Sequence, residues 1–146
     1  MNTIVGERPR APWHLWAVGV LTLLWNSIGG FSYTMTRLGK LADLGMGEAE
    51  IAFFASYSPI ANAFWALGVW GAIACSLLIL LRSRFAFHAI VAAIIGLIGS
   101  NYFQYTADVP ESLQSAVLPI LIWSTTVFLL FYTRSQSQAG VLRYAR

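Results

Sequence analysis

The chain has 146 residues, 58% of them hydrophobic and 10% charged, with a mean hydropathy of +0.65. A water-soluble domain of this composition would lack the polar residues to cover its surface, so the surrounding medium is mainly lipid. The net charge of +3 does not mark a nucleic-acid binder, because the basic residues stand in ones and twos at the ends of apolar runs and form no stripe.

A helix needs roughly 20 mainly apolar residues to cross about 30 Å of hydrocarbon. Four segments qualify, at about 13–33, 59–81, 85–105 and 113–133. The expected fold is an all-α membrane protein, a four-transmembrane-helix bundle. With no soluble segment large enough to stand alone, residues 1–146 read as a single integral membrane domain.

The first run follows Arg8 and Arg10 as a signal peptide would, but it is too long for an h-region and no small-x-small cleavage site follows it. It is retained as a span, with Trp13 and Trp16 at its interfacial end. Asn26, Gly29, Gly30 and Tyr33 succeed one another along its second half. Between the first two spans, Gly45 and Gly47 interrupt the chain, and Glu48, Glu50, Ile51, Phe53, Phe54 and Tyr57 follow before Pro59. Two readings stand: a short amphipathic helix on the outer membrane surface, or an extension of span two kinked at Pro59.

Spans two and three are joined by little more than Arg82, Ser83 and Arg84, which makes them antiparallel neighbours. Span two carries Gly68, Ala72 and Ser76 at intervals of four, flanked by Gly71 and Cys75; span three carries Ala92, Gly96 and Ser100, flanked by Ala93 and Gly99. Small residues let helix backbones approach in lipid, so these ladders predict the seam of the hairpin, with a homo-oligomer contact as the alternative. Cys75, the single cysteine, sits in the same apolar run and excludes a disulfide framework. Tyr102 and Tyr105 mark the far interface of span three.

Positive residues are retained on the cytoplasmic side of a membrane. Seven of the nine, Arg8, Arg10, Arg82, Arg84, Arg134, Arg143 and Arg146, fall on the side of the two termini, against Arg37 and Lys40 on the other. Both termini are therefore expected to face the cytoplasm.

No Asp, Glu, Lys or Arg falls inside an apolar run, which argues against a carboxylate-relay carrier and against an intramembrane enzyme built on paired acids. The chain is read as a non-enzyme with no cofactor. The neutral candidates are Asn26, Tyr33, Asn62, Asn101 and Gln104, all in the outer half of their spans, where they could converge on a polar ligand-binding cavity. The competing reading is that the amides bond between helices, at about 0.6 to 2 kcal/mol each. His14 and His88 lie about one turn from the inner end, where two imidazoles at equal depth could ligate a haem; the plainer reading has them reaching headgroups or carbonyls. Ser112, Ser115, Thr125 and Thr126 have no neighbouring acid or base in the sequence and are assigned no nucleophilic role.

The runs Trp13-His14-Leu15-Trp16, Leu24-Trp25-Asn26 and Ala66-Leu67-Gly68-Val69-Trp70-Gly71, with the exit from Leu78 to Arg84, resemble a family of small four-span inner-membrane proteins of proteobacteria. Some members carry transporter-type names. The resemblance covers spans one to three; it implies a bacterial inner membrane and this topology, and no mechanism or functional residues.

Two functions fit these expectations. One is a non-catalytic accessory or structural subunit whose partners are the bilayer and another membrane protein. The other is a small oligomeric transporter or channel for a neutral, sugar-like solute, using the amide cluster.

Overall fold

The structure, a computed structural model, describes residues 9–142. Arg8, Arg143 and Arg146, used above for orientation, lie outside the described residues. Within them the chain forms helices and no strands: α1 (Trp13–Arg37), α2 (Glu48–Ala55), α3 (Pro59–Leu80), α4 (Phe85–Tyr105) and α5 (Val117–Gln138), with single 3-10 turns at Leu41–Leu44 and Glu111–Leu113. Four of these, α1, α3, α4 and α5, are long and apolar enough to cross a membrane. An even number of crossings puts both described chain ends on one side, here called the terminal face.

Helix boundaries follow from local chemistry. Ser58 caps α3, its hydroxyl accepting from the Ala61 amide at 3.1 Å, and Pro59 occupies the first helical position, where a missing N–H costs nothing. The chain between Ala55 and Pro59 thus breaks the helix, and α2 is a separate element rather than an extension of α3. Three helices end in the same way. The amides of Lys40, Ser83 and Val141 donate to the carbonyls of Met35, Leu78 and Gln136, each across a left-handed residue: Gly39, Arg82 and Gly140. This is the Schellman termination, and glycine is its usual left-handed residue. Arg82, at φ 55°, is the exception.

α1 continues through Arg37, past the expected end at residue 33, and α5 begins at Val117 and runs to Gln138 rather than spanning 113–133. Polar residues such as Ser135 and Gln136 extend α5 because a helix outlasts its apolar stretch where its end meets an interface.

α3 packs on α4, on its other side against α1, and α4 in turn contacts α5. The α3–α4 seam is the tightest. A Cβ at Gly96 would meet the Gly68 backbone and, at 2.7 Å, the Phe64 carbonyl; one at Gly71 would lie 3.0 Å from the Ala93 amide; one at Gly99 would run into the Phe64 ring. The seam therefore passes through Phe64, Gly68 and Gly71 on α3 and Ala93, Gly96 and Gly99 on α4. Ser100 is buried beside it, whereas Ala92 is only half-buried. Ala72 and Ser76 bond toward α1 instead, so the regular i, i+4 ladder on α3 divides between two neighbours. The α1–α3 seam has its own close approaches, Gly19 to Leu80 and Gly30 to Ile73.

The core gathers toward the terminal face: Leu15, Cys75, Ile79, Ala86, Ile90, Ala93 and Leu129, with Val141 and Leu142 folding back from the end of α5 to join it. The opposite end of α5 makes no such contact; Val117, Leu118, Ile120 and Leu121 are all exposed.

Candidate functional site

The hydrogen-bonded candidates have different partners. Asn26 faces α3, its amide donating to the Ala72 carbonyl at 3.2 Å and to Ser76 Oγ at 3.1 Å. Thr22 joins from one turn away, its hydroxyl 2.9 Å from Ser76 Oγ and donating to the Val18 carbonyl at 2.6 Å. Thr22 and Ser76 are both buried. Together these groups tie α1 to α3 across the middle of their seam, a result that the sequence left open because it does not say which face of α3 meets α1.

Asn62 serves the start of α3. Its amide donates to the carbonyls of Tyr57 and Ser58, at 3.3 and 3.2 Å, tying the α2–α3 link to the first turn of the helix. Gln104 donates to the Tyr57 hydroxyl at 3.2 Å. Burial pushes the Tyr57 phenol above its ordinary value of 10.0, an effect that the Gln104 bond partly offsets. Asn101 is half-buried on the same end of α4. Tyr33 packs edge-on against Trp65 and Trp70, with centroids 5.0 and 6.3 Å apart.

These last contacts belong to a cluster not anticipated from the sequence. Trp65 stacks on Phe54 at 5.5 Å and meets Tyr57 edge-on at 5.6 Å, while Phe53 contacts both Phe54 and Tyr57. α2 is thereby fastened over α3 by rings, each pair of which contributes about 0.5–1.5 kcal/mol beyond area burial. A further tie comes from the α4–α5 connection, where the Ser112 hydroxyl donates to Glu50 Oε1 at 2.6 Å. That bond, with Glu50's backbone hydrogen bonds, holds the Glu50 carboxyl below its ordinary value of 4.5.

At the terminal face the two histidines have separate surroundings. Nδ1 of His14 lies 2.7 Å from the Tyr132 hydroxyl, joining α1 to α5. His88 is exposed and contacts Phe85 and Phe87. It lines a recess of about 260 Å³ with Arg84, Phe87, Arg134, Ser137 and Gln138. The hydroxyls of Thr125 and Thr126 donate to the carbonyls one turn back, of Leu121 and Ile122. Among the described residues no group of three or more His, Cys, Asp or Glu is placed to hold a metal ion.

Comparison of the chain with protein-family models, with curated proteins and with solved structures finds no match.

Proposed function

We propose that this chain is a non-catalytic membrane protein acting as an accessory or structural subunit, held in a bacterial inner membrane with both termini in the cytoplasm. The observation carrying this reading is the use of Asn26: its side-chain NH2 is spent on Ala72 and Ser76 in the α1–α3 seam, beside the Thr22–Ser76 bond. Asn62 and Gln104 likewise have local partners. In lipid, such bonds lock helices in register, which is what a scaffold needs. The orientation rests on the positive residues: of those described, Arg10, Arg82, Arg84 and Arg134 lie at the terminal face, against Arg37 and Lys40 at the other.

The test is twofold. Native mass spectrometry of the protein released from its own membrane is expected to give a hetero-complex with a second membrane protein. Purified chain in proteoliposomes is expected to move neutral polyols no faster than empty vesicles. Polyol flux that Asn26→Ala abolishes in a folded protein would replace this reading with the transporter one.

A further inference from the structure

Ile94, Ile98, Asn101 and Tyr105 follow one another along α4 at intervals of four, three and four, the spacing of a seam between side-by-side helices. At about 3.6 residues per turn they share a stripe on the opposite side of α4 from Ala93, Gly96 and Gly99, which meet α3. No residue of the stripe is buried: Ile98 is 56% and Tyr105 91% exposed, and Ile94 and Asn101 are half-buried. The odd member is Asn101, whose amide makes no hydrogen bond among the described residues, whereas Asn26, Asn62 and Gln104 all have partners. On a stripe facing lipid, an amide without a partner is disfavoured, and a second helix bearing a polar group at the same level relieves it. α5 leaves that level open as well. Residues 117–121 are all exposed, and because consecutive helical residues point in every direction, no face of its outer turn is buried. The outer half of the α4–α5 edge is thus unpacked, while Ile90 and Leu129 join the core in its other half.

We infer that a second copy of the chain docks along this edge, with Asn101 of each copy meeting its counterpart across a twofold axis normal to the membrane. Two copies inserted in the same orientation are related by such an axis, which keeps every residue at the depth of its counterpart. Asn101 therefore meets groups of its own level, and there a carboxamide is self-complementary: its NH2 donates to the other copy's carbonyl and its own carbonyl accepts in return. A single asparagine in an otherwise apolar seam fixes register and stoichiometry, because a shifted arrangement leaves the amide unpaired. The small-residue ladders cannot make this contact, since Gly68 and Gly96 already face each other inside the hairpin.

The experiment uses the full chain in vesicles of phosphatidylethanolamine and phosphatidylglycerol, treated with a short bis-thiol cross-linker over a series of protein-to-lipid ratios. Ile98→Cys keeps Asn101 and places a thiol one turn away on the same stripe; Phe31→Cys, 57% exposed in the outer half of α1, is the control, and the native Cys75 is buried. Ile98→Cys should cross-link to a dimer while Phe31→Cys stays monomeric. Adding Asn101→Leu to Ile98→Cys should raise the dissociation constant by about three- to thirtyfold, and Asn101→Gln, which keeps an amide, should recover part of the loss. Circular dichroism accompanies each variant, and if Asn101→Leu does not fold, the comparison of Ile98→Cys with Phe31→Cys decides. Equal cross-linking at the two positions, none at Ile98→Cys, or an unmoved curve in folded Asn101→Leu overturns the inference. A complex holding one copy of this chain beside another membrane protein also overturns it, and leaves the subunit role standing.

Discussion

At Gly96 a methyl group has no space. The position it would take is filled by the Gly68 backbone and the Phe64 carbonyl, neither of which can rotate away as a side-chain tip could. Gly96→Ala must therefore push α3 and α4 apart, and overpacking of this kind costs about 1–3 kcal/mol. Gly29 is the control: a Cβ there meets only Val69 Cγ2, at 3.8 Å, which is ordinary contact, and alanine is the better helix former. Gly29→Ala should stay within about 0.5 kcal/mol of the parent. Reversible unfolding in mixed micelles compares the two directly, and equal stabilities would mean that the α3–α4 contact is looser than described. The sequence carried half of this. That small residues meet in the hairpin was legible from their spacing, but a straight i, i+4 reading puts Ala92 on the ladder and Ala93 only on its flank, whereas the packed face takes Ala93. Helices crossing at an angle rotate their contact stripe, and spacing alone does not give the angle.

The spanning helices were legible as elements because hydrophobic length is the dominant requirement in lipid, where every backbone group must be satisfied within its own helix. The place of α2 was not legible, since its docking depends on rings distant in sequence and on the α4–α5 connection. Glu50 and Ser112 make that dependence testable by pH. A carboxyl held below its ordinary value contributes order that is fully present above about pH 4.5 and is lost as pH falls through the lower, folded value. Hydrogen exchange in α2 and in residues 108–114 should therefore rise together on acidification into that range. Glu50→Gln should flatten the response. Because Glu50 lies in α2, outside the spans, α2 should loosen while the spans keep their protection; coordinated exchange in α3 would mean that the strap bears on the bundle itself.

Across the whole molecule, one residue gathers the two ends of the described segment. The Arg82 guanidinium donates to the Val141 carbonyl at 3.2 Å and to the Pro9 carbonyl at 2.7 Å, so the α3–α4 turn holds the segments before α1 and after α5 at once. A non-glycine residue in the left-handed region costs roughly 1–2 kcal/mol, and the turn would accept glycine without that strain. The strain is offset by two charge-assisted hydrogen bonds at a place where Val141 and Leu142 are buried against the core. The topology of four spans was readable from apolar runs, but this clasp was not, because the pairing of Arg82 with main-chain carbonyls leaves no pattern in the sequence. Arg82→Gly relieves the backbone while removing the clasp, so any loosening it causes is due to the clasp. If the clasp orders the terminal face, the variant should retain its helix content while limited proteolysis beyond Gln138 becomes several-fold faster, as Leu142 leaves the core. Cleavage at the parental rate would instead mean that burial of Val141 and Leu142 suffices to hold the tail. The guanidinium would then be tolerated at that turn rather than required by it.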